Sequence, residues 1–189
     1  MIIDDLKKII VNNVHLPISE KHTKNGIGTI NIKENDPSAK LTSVRIEGLN
    51  VHSTFAFKLD HKDYQLSTYL NHSEKYLHRG CDAVIYTTVE DKNYLFFIEL
   101  KSFIFTEKNV VTKMKNSEVF LGYLHEILKT FYHYSEIDFQ KRYILFHLRK
   151  NNKKGTRPEQ AIDFEIINEI KLHKAYNYDK VHIKQLAKI

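Results

Sequence analysis

Arg79-Gly-Cys-Asp-Ala-Val-Ile-Tyr86 and, after a short polar turn, Tyr94-Leu-Phe-Phe-Ile-Glu-Leu-Lys-Ser102 are the two runs that decide the fold. Both are rich in β-branched and aromatic residues and are short enough to be strands. The second run is apolar at consecutive positions, which is typical of a central strand covered on both faces. We therefore predict two neighbouring strands, Cys81–Thr88 and Tyr94–Phe103, inside a sheet.

Three polar side chains interrupt these apolar strands. Glu99 and Lys101 are two residues apart, so their side chains leave the strand on the same face. A four-residue loop at Val89–Lys92 in a regular hairpin sets Asp82 opposite Glu99, whereas a two-residue loop at Asp91-Lys92 sets Asp82 opposite Lys101. In either register the three polar groups share one face of the sheet.

This grouping indicates a metal site. Two carboxylates in an apolar surrounding repel each other unless they are protonated, paired or bridged by a cation. Oxygen ligands favour Mg²⁺ or Mn²⁺, and a metal-bound water is a nucleophile. Lys101 beside it can orient that water or stabilise the charge that develops on a phosphate. The three residues therefore predict phosphodiester hydrolysis.

The pattern resembles the PD-(D/E)XK nuclease superfamily, over roughly residues 64–148 of a single domain that spans 1–189. The resemblance implies an α/β fold with a restriction-endonuclease-like mixed central sheet flanked by helices, here with an N-terminal β-rich elaboration. It implies that Asp82, Glu99 and the carbonyl of Leu100 bind the metal, and that Lys101 assists the water. Cys81 stands where the family name has Pro, a position with a local backbone role.

Many members of the superfamily carry a further carboxylate on the helix before the hairpin. The apolar residues of Tyr64–Leu77 recur at helical spacing, and Glu74 lies at the edge of that stripe. Glu74 is therefore a candidate for a third acidic catalytic group. Glu47, in a β-like segment before this helix, is the alternative.

Basic residues after the second strand are candidates for contacts with nucleic acid. We expect a helix from Asn116 or Ser117 to about Tyr134, with one broad apolar stripe: Val119, Phe120, Tyr123, Leu124, Ile127, Leu128 and Phe131. Before that helix lie three lysines that can contact phosphates: Lys108, Lys113 and Lys115. A basic loop at residues 150–157 can act as a phosphate clamp or be a solvated surface loop; its cations are Lys150, Lys153, Lys154 and Arg157.

The bare Glu-x-Lys pattern is not specific, because it occurs at Glu90–Lys92, Glu99–Lys101 and Glu169–Lys171. Glu90 falls in the predicted turn, and Glu169 lacks an obvious Asp on a partner strand at hairpin distance. Glu99 alone lies in a strongly apolar strand that follows an Asp-bearing one. The alternative interpretation of Asp82, Glu99 and Lys101 is an ion-pair cluster at the end of a sheet.

The rest of the chain supplies packing elements. An opening amphipathic helix ends before Pro17, and β-like runs follow at Thr29–Lys33, Thr42–Glu47 and Thr54–Leu59. Arg142–Leu148 is predicted to be a further strand. The tail from residue 161 to residue 189 is ambiguous between helix and strand.

Composition limits the classes of function. The 189 residues carry a formal charge of +6, which is compatible with a polyanionic partner. One cysteine excludes an internal disulfide and a multi-cysteine metal cage, and the first residues lack the apolar run of a signal peptide. We expect a cytoplasmic protein with no membrane segment.

Together these patterns predict a Mg²⁺- or Mn²⁺-dependent endonuclease, with DNA favoured over RNA as substrate. The superfamily suggests a restriction or antiphage-defence role, and a homodimer or a separate specificity partner is compatible with the chain. The alternatives are an RNA- or tRNA-cleaving nuclease and a catalytically inactive module of the same fold that binds nucleic acid or a protein.

Overall fold

The structure, a computed structural model, describes residues 2–20, 26–34, 39–61, 63–64, 66–71, 73–74, 77–102, 105–148 and 160–189. In these ranges the chain is a mixed α/β protein with two sheets and three α-helices. The helices are α1 (Ile2–Ile9), α2 (Glu107–Tyr132) and α3 (Ile183–Ala187), with a 3₁₀ turn at Asn12–Val14. The strands are β1 (Ser19–Glu20), β2 (Ile27–Lys33), β3 (Ser43–Asn50), β4 (Phe55–Phe57), β5 (Ala83–Val89), β6 (Lys92–Lys101), β7 (Gln140–His147), β8 (Ala161–Ile167), β9 (Ile170–Tyr176) and β10 (Lys180–His182).

The larger sheet has the strand order β4-β5-β6-β7-β9-β8. The β5–β6 pair is antiparallel, β6–β7 and β7–β9 are parallel, and β8–β9 is antiparallel. Helix α2 makes the crossover that parallel neighbours β6 and β7 require. The predicted central strand is confirmed: β6 has a neighbour on each side and is buried from Tyr94 to Leu100.

The β5–β6 hairpin has the register that aligns the two predicted carboxylates. Ala83 pairs with Ile98, which puts Asp82 level with Glu99, as the first of the two predicted registers requires. The turn is tighter than the predicted four residues, because Val89 already pairs with Lys92. Glu90 and Asp91 make the turn at φ values of 50° and 62°. Both values match the two-residue turns that suit the twist of a hairpin.

The smaller sheet has the order β1-β2-β3-β10. Its antiparallel β1–β2–β3 part confirms the first two predicted N-terminal β-like runs, and β10 from the far end of the chain adds a parallel fourth strand. The third run, Thr54–Leu59, instead supplies β4 at the edge of the larger sheet. Apolar side chains of both sheets, among them Ile30, Ile46, Ile85 and Phe146, form one buried cluster. Helices α1 and α2 cover the other face of the larger sheet. The layers are therefore small sheet, large sheet and helices.

The helix predicted at Tyr64–Leu77 is wrong: the described residues of this segment form turns and bends. The Ser67 hydroxyl accepts the Tyr69 N–H, and the Asn71 side-chain oxygen accepts the Ser73 N–H. Such local bonds offer the backbone an alternative to helical hydrogen bonds. Apolar spacing alone therefore misassigned the segment.

Helix α2 begins at Glu107 rather than at Asn116 or Ser117, so the predicted start is wrong. Its first turns mix charged and polar residues with only three apolar ones, Val110, Val111 and Met114, where the buried face begins. The predicted apolar stripe is wrong in part, because three of its members are more than half exposed: Val119, Tyr123 and Phe131. The buried face is Val110, Val111, Met114, Ser117, Leu121, Leu124 and Leu128.

The C-terminal tail resolves into β8, β9, β10 and α3, and the strand predicted at Arg142–Leu148 is confirmed as β7. A turn at Asn168-Glu169, with φ values of 48° and 70°, joins β8 to β9. Within the described ranges, no helix combines the length and the apolar character that a membrane crossing needs.

Candidate functional site

Glu99 is the centre of the candidate site. It lies near the end of the central strand β6, and its side chain is fully buried. One carboxylate oxygen, Oε1, accepts a hydrogen bond from Lys113 Nζ at 2.9 Å and forms an ion pair with Lys101 Nζ at 2.7 Å. The other oxygen, Oε2, is buried and has no hydrogen-bond partner in the described part of the chain. A buried carboxylate oxygen without a donor is costly, so it marks a place for a further ligand.

Asp82 stands directly before β5 and faces the same space. Its Oδ2 accepts the Leu100 N–H at 2.6 Å, and its Oδ1 lies 4.0 Å from Lys113 Nζ. In a strand the N–H and C=O of one residue point toward the same neighbour, so the Leu100 carbonyl is directed toward the Asp82 side. Burial and the Glu99 carboxylate raise the pKa of Asp82 to about 8, although Lys113 and Lys101 act in the opposite direction.

Lys113 reaches the two carboxylates from helix α2. Its Nζ donates to Asp60 Oδ2 at 2.9 Å as well as to Glu99, and 15% of its side chain is exposed. Burial lowers the pKa of this ammonium group, but the carboxylates of Glu99, Asp82 and Asp60 outweigh burial and raise it above its ordinary value. The sequence predicted that Lys113 contacts phosphate. In the structure its ammonium group is the counter-ion of the acidic cluster, which consists of Asp60, Asp82 and Glu99.

Asp60 is the acidic residue that the sequence analysis missed. It follows β4, and its N–H donates to the Cys81 carbonyl at 3.2 Å, which ties it to the segment that carries Asp82. A carboxylate one residue beyond the predicted strand Thr54–Leu59 is the signal that could have identified it.

Lys101 connects the buried cluster to solvent. Its Nζ lies 2.7 Å from Glu99 Oε1 and 4.0 Å from Glu34 Oε2, and 26% of its side chain is exposed. A cleft of about 380 Å³ opens at this point; it is lined by Asp60, Arg79, Glu99, Lys101, Phe105, Thr106, Asn109, Val110 and Lys113. Asp60, Glu99 and both lysines are therefore reachable from one cleft, whereas Asp82 is buried behind Glu99 and does not line it.

The other predicted site residues do not line this cleft. Glu74 is exposed in a turn, and Glu47 is half-buried on β3 of the smaller sheet, so the structure brings neither into the cluster. Lys115 is exposed on α2 outside the cleft lining, and so is Lys108. The remaining predicted phosphate contacts lie outside the described residues: Lys150, Lys153, Lys154 and Arg157.

Ser117 anchors the helix that carries Lys113. Its buried hydroxyl accepts the Cys81 N–H at 2.8 Å and donates to the Lys113 carbonyl at 2.8 Å. Asn116 supports the same junction, because its side-chain amide donates to the Arg79 carbonyl at 3.3 Å. These bonds fix the start of β5, and with it Asp82, against α2. A serine in a helical sequence gives no signal of this role.

The donor atoms suit a hard divalent cation. Mg²⁺ commonly binds through one or two carboxylates and keeps several waters, and the site offers Asp82, Glu99 Oε2 and the Leu100 carbonyl. Among the described residues, no group of three His, Cys, Asp or Glu side chains is placed to hold a metal ion. The ion-paired cluster has four carboxylates, of Glu34, Asp60, Asp82 and Glu99, against two ammonium groups. Arg79 lies in the same cleft, and the raised pKa of Asp82 favours its neutral form, so the charges of the cluster are close to balance at neutral pH. The feature that fits a cation is Glu99 Oε2, which has no hydrogen-bond partner among the described residues.

Comparisons of this chain with protein-family models, with curated proteins and with solved structures gave no match. The function of the chain is therefore inferred from the chemistry of its own residues.

Proposed function

We propose that this chain is a Mg²⁺- or Mn²⁺-dependent endonuclease of the PD-(D/E)XK kind, with a restriction-endonuclease-like core, that hydrolyses phosphodiester bonds with DNA as its favoured substrate. The observation that carries the proposal is the fully buried Glu99 beside Asp82, with one carboxylate oxygen that has no donor among the residues that the structure describes. A buried acidic pair on two neighbouring segments of a sheet is unfavourable unless a positive charge compensates it. A bound divalent cation would compensate the charge of this pair and would explain why two acids are buried together.

Each residue of the candidate site has a separate role in the proposed reaction. Asp82, Glu99 and the Leu100 carbonyl supply oxygen ligands, and a bound divalent cation would supply an activated water and neutralise phosphate charge. Lys101 is partly exposed beside Glu99, and in this proposal it would orient the water and stabilise the negative charge that develops on the phosphate. Lys113 holds Glu99 and Asp60 in position.

A cleavage panel tests the proposal. Supercoiled plasmid, linear duplex, single-stranded DNA and tRNA are incubated with the wild type in Mg²⁺, Mn²⁺ or EDTA, beside Glu99→Gln and Lys101→Ala. Removing a group that stabilises transition-state charge typically lowers the rate by about 10²–10³-fold, so both variants should lose cleavage to that extent. Cleavage should also require metal.

The chain provides a matched control, because Glu90 and Lys92 repeat the same Glu-x-Lys spacing at the exposed β5–β6 turn. Glu90→Gln and Lys92→Ala should cut like the wild type. Cleavage that persists in EDTA or in Glu99→Gln would contradict the proposal. The substrate that is cut decides between DNA and the alternative of an RNA- or tRNA-cleaving nuclease.

The second candidate is a catalytically inactive module of the same kind that binds nucleic acid or a protein. The observation that favours it is the pairing of Glu99 with both Lys101 and Lys113, which can neutralise this carboxylate without a metal. It predicts no cleavage of any substrate and no stabilisation by Mn²⁺. A cytoplasmic location and a role in restriction or antiphage defence stay predictions.

A further inference from the structure

A second cleft, of about 440 Å³, lies on the smaller sheet and beside the end of β7. Three cations line it, Lys40, Arg45 and Lys180, and all three are exposed. The carboxylate among the lining residues is Asp179. The complete lining is Asn31, Lys40, Leu41, Thr42, Ser43, Arg45, Leu148, Asn177, Tyr178, Asp179 and Lys180, called the basic groove below.

The strand register places the cations of the basic groove side by side. Arg45 on β3 pairs with Lys180 on β10 and with Asn31 on β2, so the three side chains stand in one row across the sheet. Like charges directly opposite each other on neighbouring strands are destabilising. Neither Arg45 nor Lys180 forms an ion pair with a residue that the structure describes. An anionic ligand that accepts hydrogen bonds from both side chains would relieve this repulsion.

The basic groove begins next to the candidate active site. The Ser102 hydroxyl accepts the N–H groups of Lys40 at 2.8 Å and Leu41 at 3.1 Å, and Ser102 directly follows Lys101. Glu34, which is 4.0 Å from Lys101, donates its N–H to the Thr42 carbonyl at 3.0 Å. The wall of the basic groove is thus attached to the catalytic end of β6.

We propose that the basic groove binds the sugar-phosphate backbone of the nucleic acid that flanks the scissile phosphate. This inference rests on the proposed nuclease function and names where the rest of the substrate lies. Arg and Lys are the usual partners of phosphate oxygens, and the Asn31 amide can add a hydrogen bond. Such contacts fix the position of a strand without reading its bases.

The test measures binding without cleavage. Fluorescence anisotropy in EDTA follows a labelled 20-base-pair DNA duplex, a single-stranded DNA and an RNA hairpin, at several salt concentrations. The groove variant is Arg45→Gln with Lys180→Gln. Its matched control is Lys7→Gln with Lys92→Gln, which removes the same charge from exposed positions elsewhere.

We expect the groove variant to bind at least one of these ligands about 10-fold or more weakly than the wild type. The slope of its logarithmic binding constant against the logarithm of the salt concentration should fall in magnitude by about 1 for each phosphate that it no longer neutralises. The control pair should keep the wild-type slope. Circular dichroism and thermal unfolding establish that both proteins are folded. In cleavage assays the groove variant should raise KM and leave kcat near the wild-type value.

Three results would overturn the inference: equally weakened binding in both variant pairs, wild-type binding by the groove variant, or displacement of the nucleic acid by poly-glutamate as readily as by unlabelled DNA. The same experiments distinguish failure of the nuclease proposal from failure of the groove inference. Groove-dependent binding without metal-dependent cleavage would contradict the nuclease proposal and support nucleic-acid binding by the groove. Metal-dependent cleavage with unchanged binding by the groove variant would support the nuclease proposal and contradict the groove inference.

Discussion

At the scale of single residues, the site depends on how its buried charges compensate one another. Glu99 is paired with Lys101 and Lys113, whereas Asp82 receives a backbone N–H and approaches Lys113 only to 4.0 Å. Asp82 is therefore the less compensated of the two acids, and its raised pKa follows from burial beside Glu99. The pH dependence of stability should report this difference.

The first prediction concerns Asp82→Asn in EDTA. Because the pKa of Asp82 is about 8 in the folded protein, against the usual 3.8, the folded state holds this proton more tightly than the unfolded chain does. The resulting stabilisation is fully present below about pH 4 and is lost as the pH rises through about 8. Asp82→Asn should gain at least about 1 kcal/mol of unfolding free energy over the wild type between pH 6 and pH 9.

Urea unfolding of both proteins at the two pH values measures this gain, and the comparison cancels the other titrating groups. A difference that does not change with pH would show that Asp82 is ionised at neutral pH in the folded protein.

The second prediction compares Asp60→Asn with Glu74→Gln. Asp60 accepts a hydrogen bond from Lys113 inside the cluster, whereas Glu74 is an exposed turn residue outside the cleft lining. Loss of a supporting partner of a metal site typically lowers affinity or activity by about 10–100-fold. Asp60→Asn should show such a loss in metal-dependent cleavage, and Glu74→Gln should retain the wild-type rate. The reverse result would restore Glu74 as the third acidic group.

At the scale of elements, helix α2 completes the candidate site, because it adds residues that contact the acids of the β5–β6 hairpin. The hairpin brings Asp82, Glu99 and Lys101 together, but Lys113 and the anchor Ser117 arrive from the helix. Lys113 and Ser117 are four residues apart, so they lie on one face of α2 and meet the end of the sheet together. The position of the helix therefore matters for the geometry of the acids.

The third prediction tests the anchor with two similar hydroxyls. Ser117 and Thr112 each donate to the carbonyl four residues earlier, but only Ser117 is buried and also accepts the Cys81 N–H. Ser117→Ala leaves that N–H unsatisfied and should destabilise the protein by about 1–3 kcal/mol. Thr112→Ala should change the unfolding free energy by less than about 0.5 kcal/mol. Urea denaturation measures both, and equal effects would contradict the anchoring role.

At the scale of the whole molecule, the site joins segments that are far apart in the chain. Asp60 follows β4, Asp82 precedes β5, Glu99 lies near the end of the central strand, and Lys113 belongs to α2. A ligand held by several of these segments stabilises the folded state by mass action, because the unfolded chain does not assemble them.

The fourth prediction follows from this assembly. At a Mn²⁺ concentration about 100-fold above the dissociation constant, the wild type should gain about 2.7 kcal/mol of stability. A double variant, Asp82→Asn with Glu99→Gln, should gain none, and Glu90→Gln should behave like the wild type. Thermal unfolding with and without Mn²⁺ measures the shift. Equal shifts in all three proteins would place the metal elsewhere, and no shift in the wild type would favour the inactive module.

The sequence by itself determined the hairpin and the face of its polar residues. Apolar runs of strand length and a period of two residues specify which side chains point the same way, so the sequence alone groups Asp82, Glu99 and Lys101. The N-terminal β-rich region and the strand β7 followed from the same local rules. These features depend on neighbours close in the chain.

Only the tertiary structure decided what surrounds that hairpin. Helix α2 packs at the end of the sheet and brings Lys113 to Glu99 and to Asp60, while Glu74 stays exposed outside the cluster. Asp60 and the row formed by Arg45 and Lys180 depend on pairing between distant strands. Contacts of that kind are set by packing of remote elements, which no local periodicity encodes.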